Sequence, residues 1–271
     1  RAVQEVKRLY GSHLLIRFEK LDLASFAVVR AFADGVAARH AKVQLLVCNA
    51  GLNVASALQA PEDQLTADGV DALYQANFLG HFLLTLLLMP SLRAARGRVV
   101  SVSSVMHRQA SPADLNLTQV VRRPYVGLYN FSKLAQILAV SELHRRFGEE
   151  VAFHCVNPGG VASDIWRAFP RFLQWVFSLV MVSTKTAAES VVEACLCMRS
   201  GPPAPPAYWN GYRGASWCWL FEYWSPRPAR GRLVPSMPSR AARDPELGGR
   251  LWRHSVEALE AAGFGRRVLG L

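Results

Sequence analysis

Two side chains suited to acid–base chemistry lie four residues apart in the segment Tyr129-Asn-Phe-Ser-Lys133. On a helix this spacing places the phenol of Tyr129 and the ammonium of Lys133 on one face, one turn apart. A free tyrosine has a pKa of about 10, and a nearby cation favours its phenolate. Such a pair could exchange a proton with an alcohol or carbonyl oxygen. The same spacing also occurs in ordinary amphipathic helices, and the pair alone does not decide between the two interpretations.

Hydroxyl-bearing and small residues follow three apolar runs of the chain. The run Val99-Val-Ser-Val-Ser-Ser104 ends in a serine cluster, and the tripeptide Asn49-Ala50-Gly51 and the dipeptide Pro158-Gly159 end two others. Ligands of parallel sheets gather at the carboxyl ends of the strands. Ser104 could donate a hydrogen bond to a substrate oxygen there, and small residues let a flat ligand approach the backbone closely. This placement predicts a ligand site at one edge of a sheet.

Apolar runs alternate with helical patterns along the first 160 residues, which predicts a mainly parallel sheet with helices on both faces. The predicted strands are expected to be neighbours or near neighbours, and they cover residues 14–18, 43–47, 98–102 and 151–156. The predicted helices cover residues 26–39, 73–89, 129–147, 186–198 and 244–262. Residues 208–238 show no clear period and are not assigned.

Composition limits the class of protein. The chain has 271 residues, of which 51% are hydrophobic and 19% charged, as in a globular protein with one large α/β domain. The five cysteines form no Cys-x-x-Cys pair and no cysteine/histidine ladder, so no metal site is predicted. Cys48 and Cys155 lie in apolar runs typical of buried thiols, which favours a reducing compartment.

Charge and hydropathy bear on the partners. The net charge of +11 is the balance of 31 Lys and Arg against 20 Asp and Glu. The arginines towards the C-terminus are scattered singly, without a basic helix, and no nucleic-acid partner is predicted. The longest apolar stretches, residues 82–89 and 172–182, are shorter than the roughly 20 residues of a membrane span. The second stretch could lie on a membrane surface or line an apolar substrate pocket. A cytoplasmic or peripherally membrane-associated protein is therefore expected.

Together with Asn77-Phe-Leu-Gly-His-Phe82 and Pro158-Gly-Gly-Val-Ala-Ser163, these motifs resemble the short-chain dehydrogenase/reductase family. The strings CNAG, NFLGHFLL and SKLAQILAVSELHRR look like its branch with the retinol dehydrogenases and the WW domain-containing oxidoreductase. The resemblance covers roughly residues 1–200 and 233–260. It implies a doubly wound, Rossmann-like sheet and an NAD(P)-dependent oxidoreductase. Such an enzyme would interconvert a lipophilic alcohol, retinoid- or steroid-like, and its carbonyl by hydride transfer.

The resemblance also implies roles for individual residues. Tyr129 would be the acid/base, Ser104 would polarise the substrate oxygen, and Lys133 would hold the nicotinamide ribose. Asn77 would position a water in a proton relay behind Lys133, although a helix-kink residue or a core amide is the plain alternative. The cofactor would be NADP or NAD, and its binding residues would be Asp22 at the adenine, Leu23, Asn49, Ala50, Gly51, Tyr129, Lys133, Pro158, Gly159, Val161 and Ser163. A helix cap is the plain alternative for Ser163.

This sequence departs from the family's pattern in three places. The Gly-rich phosphate loop and the first βαβ unit are not among these residues, so the domain is expected to be N-terminally incomplete and to bind a dinucleotide poorly by itself. Asn157 stands where the branch commonly has histidine, and a Trp/Arg-rich stretch near 211–232 looks like an insertion. Residues 1–160 would form the remaining core and 161–271 the substrate side of one domain. A non-catalytic relative that acts as a protein-interaction module is the alternative.

Overall fold

The chain forms the parallel sheet that the alternation of apolar and helical segments predicts. The structure, a computed structural model, describes residues 2–52, 65–110, 125–163, 170–172, 174–175, 181–196, 208–211 and 233–271. Its main sheet contains β1 (Leu45–Cys48), β2 (Arg98–Val102), β3 (Ala152–Asn157), β6 (Tyr208–Asn210) and β7 (Val234–Pro235), in this spatial order. The first four strands are parallel and β7 is antiparallel to β6. A separate parallel pair joins β4 (Val161–Ala162) to β5 (Val182–Ser183).

Three of the four predicted strands are confirmed, and the strand predicted at residues 14–18 is wrong. That segment is irregular, and its hydrogen bonds are local, such as Leu14 N–H to the carbonyl of Gly11 at 3.4 Å. Leu15 and Phe18 are exposed. An apolar run becomes a strand only where a neighbouring backbone pairs with it. Within the described residues β1 is the edge of the sheet, and nothing pairs with its outer side.

Four predicted helices are confirmed apart from shifts at their ends. They are α2 (Phe26–Arg39), α6 (Tyr125–Phe147), α7 (Thr184–Leu196) and α8 (Pro245–Ala261), and α1 (Ala2–Tyr10) precedes them. Helix α7 begins two residues before the predicted Thr186, because the Ser183 hydroxyl accepts the Thr186 N–H at 3.2 Å. Asp244 caps α8 as predicted, since its carboxylate accepts two backbone N–H groups.

The helix predicted at residues 73–89 is divided into four pieces. These are α3 (Ala72–Tyr74), a π-helical turn (Gln75–Leu79), α4 (Gly80–Leu87) and α5 (Met89–Ala95). The predicted helix stops before Pro90, because a proline inside a helix breaks it. In the structure Pro90 instead lies in the first turn of α5, where its missing N–H costs nothing, and the chain bends by 59° between α4 and α5.

The sheet is covered on both faces. One face, with Val99 and Phe153, packs into the large core that α2, α4, α6 and α8 share. On the other face Val100 and Val156 pack against Ala194 of α7. Among the described residues no single helix is long and apolar enough to cross a membrane. Taken together, the bent pair Ala72–Leu87 and Met89–Ala95 has the length and composition of a membrane span.

Candidate active site

Lys133 is a buried ammonium in the middle of α6. It is 5% exposed, and its Nζ donates to the carbonyl of Val102 at 3.0 Å and to Gln136 Oε1 at 3.3 Å. Its Nζ also lies 5.7 Å from the ring centre of Tyr129, which is half-buried on the same helix. Burial lowers the pKa of Lys133 to about 8. The i, i+4 spacing thus brings the phenol and the ammonium together on one face of α6.

Asn77 lies in the π-helical turn, and its side chain holds the loop that follows β1. The fully buried amide accepts the Leu52 N–H at 2.6 Å and donates to the Leu52 carbonyl at 2.9 Å. It also donates to Ser132 Oγ on α6 at 3.1 Å. π-Helical turns often occur at functional sites, because they aim side chains that a regular helix would place elsewhere. Asn77 therefore ties β1, its own helix and α6 together.

Gly51 shows how closely these elements approach one another. A Cβ atom added to Gly51 would lie 3.3 Å from Asn77 Oδ1 and 3.7 Å from Lys133 Nζ. A side chain would fill the space beside the ammonium. Asn49 and Ala50, which precede it, are exposed at the carboxyl end of β1. The structure therefore brings Gly51 beside Lys133 and Asn77, and Asn49 and Ala50 directly precede it in the same loop.

His81 holds the same loop from α4, and sequence reasoning missed it. Its Nε2 lies 2.9 Å from the Ala50 carbonyl, which can only accept, so Nε2 carries the proton. Burial lowers the pKa of His81 to about 4, which keeps the ring neutral at pH 7. The signal was present in the sequence, because His81 follows Asn77 by four residues.

The serine cluster at the end of β2 has divided roles. The Ser103 hydroxyl donates to the Lys133 carbonyl at 2.8 Å and ties β2 to α6. Ser104 is half-buried at the strand end, where its Oγ accepts the Met106 N–H at 3.3 Å and caps a 3₁₀ turn, Val105–Gln109. Ser104 thus lies at the carboxyl end of β2, where its predicted role requires it.

His107, a second missed residue, fixes the backbone of Ser104. Its Nε2 accepts the Ser239 N–H at 3.1 Å, so the proton lies on Nδ1, which donates to the Ser104 carbonyl at 2.7 Å. Burial lowers the pKa of His107 to about 4. The buried ring thus joins the end of β2 to the segment that precedes α8.

The turn after β3 carries the third group of predicted residues. Gly159, which follows the half-buried Pro158, has a φ of +92°, a conformation that favours glycine. Asn157 is fully buried; its Oδ1 accepts the Gly159 N–H at 3.1 Å and its Nδ2 donates to Asn210 Oδ1 at 2.6 Å. The asparagine that replaces the branch's histidine therefore shapes this turn.

Val161 and Ser163 continue the chain from this turn. Val161 pairs with Val182 in the small parallel pair, and Ser163 is half-buried just after β4. These positions are at the carboxyl side of β3, as the sequence predicts. Their contact with a nicotinamide stays a prediction.

Asp22 and Leu23 have local structural roles. The exposed Asp22 carboxylate accepts the Ala24 N–H at 2.9 Å in the turn before α2. Leu23 is buried in the core, and its carbonyl oxygen lies against Gly80 so closely that a Cβ there would clash. Their contact with an adenine stays a prediction.

A nicotinamide dinucleotide fits the described residues at its nicotinamide ribose. An ammonium has three N–H donors, and Lys133 uses two of them on Val102 and Gln136 within the described part of the chain. The remaining donor, beside the space left by Gly51, suits a ribose hydroxyl. In the described segments no three His, Cys, Asp or Glu side chains are grouped to hold a metal ion.

The chain matches one protein family over most of this site. Residues 1–173 match the family model described as short chain dehydrogenase. The chain belongs to the short-chain dehydrogenase family. It is 36% identical over 199 residues to retinol dehydrogenase 11 of Homo sapiens, which covers 71% of this chain and 60% of that protein. It is also 36% identical over 188 residues to the WW domain-containing oxidoreductase of Danio rerio, covering 65% and 44% of the two chains.

The fold comparison agrees. A crystal structure of an uncharacterized protein from Mycobacterium paratuberculosis matches 95% of this chain and 80% of that one, with a TM-score of 0.62 and 26% identity. The predicted family, its retinol dehydrogenase branch and the Rossmann-like sheet are confirmed. The predicted short-chain dehydrogenase/reductase class and its NAD(P) cofactor are also confirmed at the level of the family. The chain spans 60% of the length of retinol dehydrogenase 11, so the activity of the whole protein is a matter for proposal.

Proposed function

We propose that the whole protein is an NAD(P)-dependent oxidoreductase that interconverts a lipophilic alcohol and its carbonyl compound. The observation that supports this most is the buried Lys133 ammonium, which lies beside Tyr129, Asn77 and the gap left by Gly51. Burying a charge costs free energy unless the charge is paired or hydrogen-bonded. Here it faces a phenol and leaves one donor for a ligand.

Tyr129 is the proposed acid/base. In alcohol oxidation its phenolate accepts the hydroxyl proton of the substrate, and in carbonyl reduction its phenol returns that proton. The Lys133 cation favours the phenolate. Its Nζ lies 5.7 Å from the Tyr129 ring centre, and unit charges at about that separation interact by about 3 kcal/mol at an effective dielectric constant of about 20. The bound dinucleotide supplies the hydride acceptor or donor. The protein's own part is to hold the proton at the phenolic oxygen.

The neighbouring residues position the reactants. Ser104, whose backbone His107 fixes, donates a hydrogen bond to the substrate oxygen. Lys133 donates to the ribose, and the exposed Asn49–Gly51 backbone lies alongside the dinucleotide. Asn77 keeps that backbone in place through Leu52. Pro158, Gly159, Val161 and Ser163 would border the nicotinamide.

The proposed substrate is apolar and small, retinoid- or steroid-like. Its class follows from the relative named retinol dehydrogenase 11. Trp175 is exposed and lies in the apolar stretch 172–182. We propose that this stretch lines an apolar pocket or touches a membrane surface. Cys48, Cys155 and Cys195 are free thiols, which is consistent with the proposed reducing compartment.

Hydride transfer by the full protein tests the proposal. Purified protein is mixed with NAD or NADP and all-trans-retinol or a hydroxysteroid, and the absorbance of reduced nicotinamide is followed. Tyr129→Phe and Lys133→Met are expected to lower kcat/KM by about 10²- to 10⁴-fold. Tyr10→Phe changes an exposed tyrosine and is the matched control.

Two results would contradict the proposal. Tyr129→Phe could retain the wild-type rate, which would remove Tyr129 from the chemistry. The folded wild-type protein could also transfer no hydride with any of these substrates in either direction. That result would favour the non-catalytic interaction module.

A further inference from the structure

The side-chain amide of Gln136 connects two helices behind the proposed site. Gln136 lies on α6, one turn after Lys133, and its Oε1 accepts from Lys133 Nζ at 3.3 Å. Its Nε2 donates to the backbone carbonyl of Asn77 at 2.7 Å. The residue is 3% exposed, so bulk water does not compete for either bond. Because an ammonium only donates and a carbonyl only accepts, these two partners fix the orientation of the amide.

The Asn77 carbonyl that accepts from Gln136 lies in the π-helical turn. In this turn the Gly80 N–H bonds to the carbonyl of Gln75, five residues back, instead of four as in an α-helix. The wider turn changes the hydrogen-bond register around Asn77. Within this turn the backbone carbonyl of Asn77 accepts from the Gln136 side chain of α6.

While Tyr129 holds its proton, the ionisable neighbours of Lys133 supply no negative charge that would keep Lys133 protonated. They are Tyr129 on its own helix, Cys155 on β3 and His81 on α4. Burial raises the pKa of Cys155 to about 12 and lowers that of His81 to about 4, so both are neutral at pH 7.

While Tyr129 is protonated, acceptor oxygens must therefore stabilise the ammonium. Within the described residues these are the Val102 carbonyl and Gln136 Oε1. Burial already lowers the pKa of Lys133 to about 8, so little margin separates the charged form from the neutral one at pH 7. Losing one acceptor bond to a charged donor is enough to remove that margin.

We propose that Gln136 is a positioning residue that keeps the Lys133 ammonium protonated and fixed in the site by bracing it against the backbone of Asn77. The consequence for catalysis rests on the proposed function. The bracing itself concerns only this chain's residues. Gln136 acts through Lys133 and touches neither substrate nor cofactor.

Direct titration of Lys133 tests this proposal without any cofactor. The full chain is produced with isotope-labelled lysine side chains, and NMR follows each signal against pH. The chain has five lysines, and Lys133 is the buried one, so Lys133→Met identifies its signal; the lysines are Lys7, Lys20, Lys42, Lys133 and Lys185. The variants are Gln136→Met, which loses both bonds, and Gln136→Glu, which keeps an acceptor for Lys133 in either protonation state. Ser141→Ala on the same helix is the control, because within the described part of the chain its hydroxyl bonds only the Ile137 carbonyl.

We expect Gln136→Met to lower the titration midpoint of Lys133 by about one pKa unit. Gln136→Glu should leave the midpoint in place or raise it, and Ser141→Ala should not move it. In the full protein the pH dependence of kcat should move with the midpoint. If Gln136→Met does not fold, Gln136→Glu and a shorter acceptor, Gln136→Asn, are compared, and Gln136→Asn should lower the midpoint.

The outcomes separate this proposal from the proposed function. An unchanged Lys133 midpoint in folded Gln136→Met, or an equal fall in Gln136→Met and Gln136→Glu, would overturn the bracing role. The expected midpoints in a wild-type protein that transfers no hydride would instead overturn the function and leave the bracing role intact.

Discussion

Replacing Asn77 with alanine should destabilise the fold well beyond an ordinary polar substitution. The fully buried amide makes three hydrogen bonds, to both backbone groups of Leu52 and to Ser132 Oγ, at 2.6, 2.9 and 3.1 Å. Each bond contributes about 1 kcal/mol net, and alanine leaves both Leu52 backbone groups and Ser132 Oγ without this partner. Asn77→Ala is therefore expected to cost about 3 kcal/mol.

Urea unfolding followed by far-ultraviolet circular dichroism measures this loss, with Asn49→Ala as the control. Asn49 is exposed, and its loss should change the free energy of unfolding by less than about 0.5 kcal/mol. Hydrogen exchange at the Leu52 amide should also accelerate in Asn77→Ala, because that N–H loses its acceptor. A loss of less than about 1 kcal/mol with an unchanged denaturant slope would refute the reasoning.

Three further predictions concern the packing, the pH dependence and the cofactor. His154 is buried with no hydrogen-bond partner for either ring nitrogen in the described residues, so His154→Leu should stabilise the protein by about 1 kcal/mol at pH 7 in urea unfolding. Burial also lowers the pKa of His154 to about 4. As pH falls from 6.5 to 4, the His154 ring therefore binds a proton in the unfolded chain but not in the folded one. Over this range the wild type should lose about 3 kcal/mol of its free energy of unfolding, and His154→Leu should not. Equal pH profiles of the two proteins would contradict this. Gly80→Ala should lower the thermal midpoint, because its Cβ would meet the Leu23 carbonyl, whereas Gly127→Ala, where a Cβ meets nothing, should raise it slightly; equal shifts would contradict the close packing. Residues 1–271 alone should show no saturable binding of NAD or NADP at micromolar concentration by calorimetry, since they lack the family's phosphate loop, and tight binding would show that another segment holds the pyrophosphate.

The parts of the fold that sequence predicts best are those that local pattern and burial decide together. The strand Arg98–Val102 has the predicted bounds, because a continuous apolar run fits a sheet covered on both faces. The pair Tyr129 and Lys133 shares one face because helix geometry alone requires it. The segment at residues 14–18 failed for the complementary reason: its pattern suits a strand, but strand formation depends on a partner outside the segment.

The residues that sequence reasoning missed act through contacts between distant parts of the chain. His107 joins the end of β2 to Ser239, and Gln136 joins α6 to Asn77. No local pattern reports such contacts. The π-helical turn at Asn77 was missed for the same reason, since Asn77 in this turn bonds Leu52 after β1 and Ser132 on α6. The predicted proton-relay asparagine is thus located in the site, and its side chain is a backbone clamp.

A crystal structure of the full protein with bound NADP or NAD is the most direct test of the proposed site. We predict that the nicotinamide ribose lies within hydrogen-bond distance of Lys133 Nζ and the Tyr129 hydroxyl. The ring should lie along Pro158 and Val161, and the backbone of Gly51 should contact the dinucleotide. A dinucleotide bound away from the carboxyl ends of β1, β2 and β3, with Lys133 out of reach of its ribose, would contradict the account.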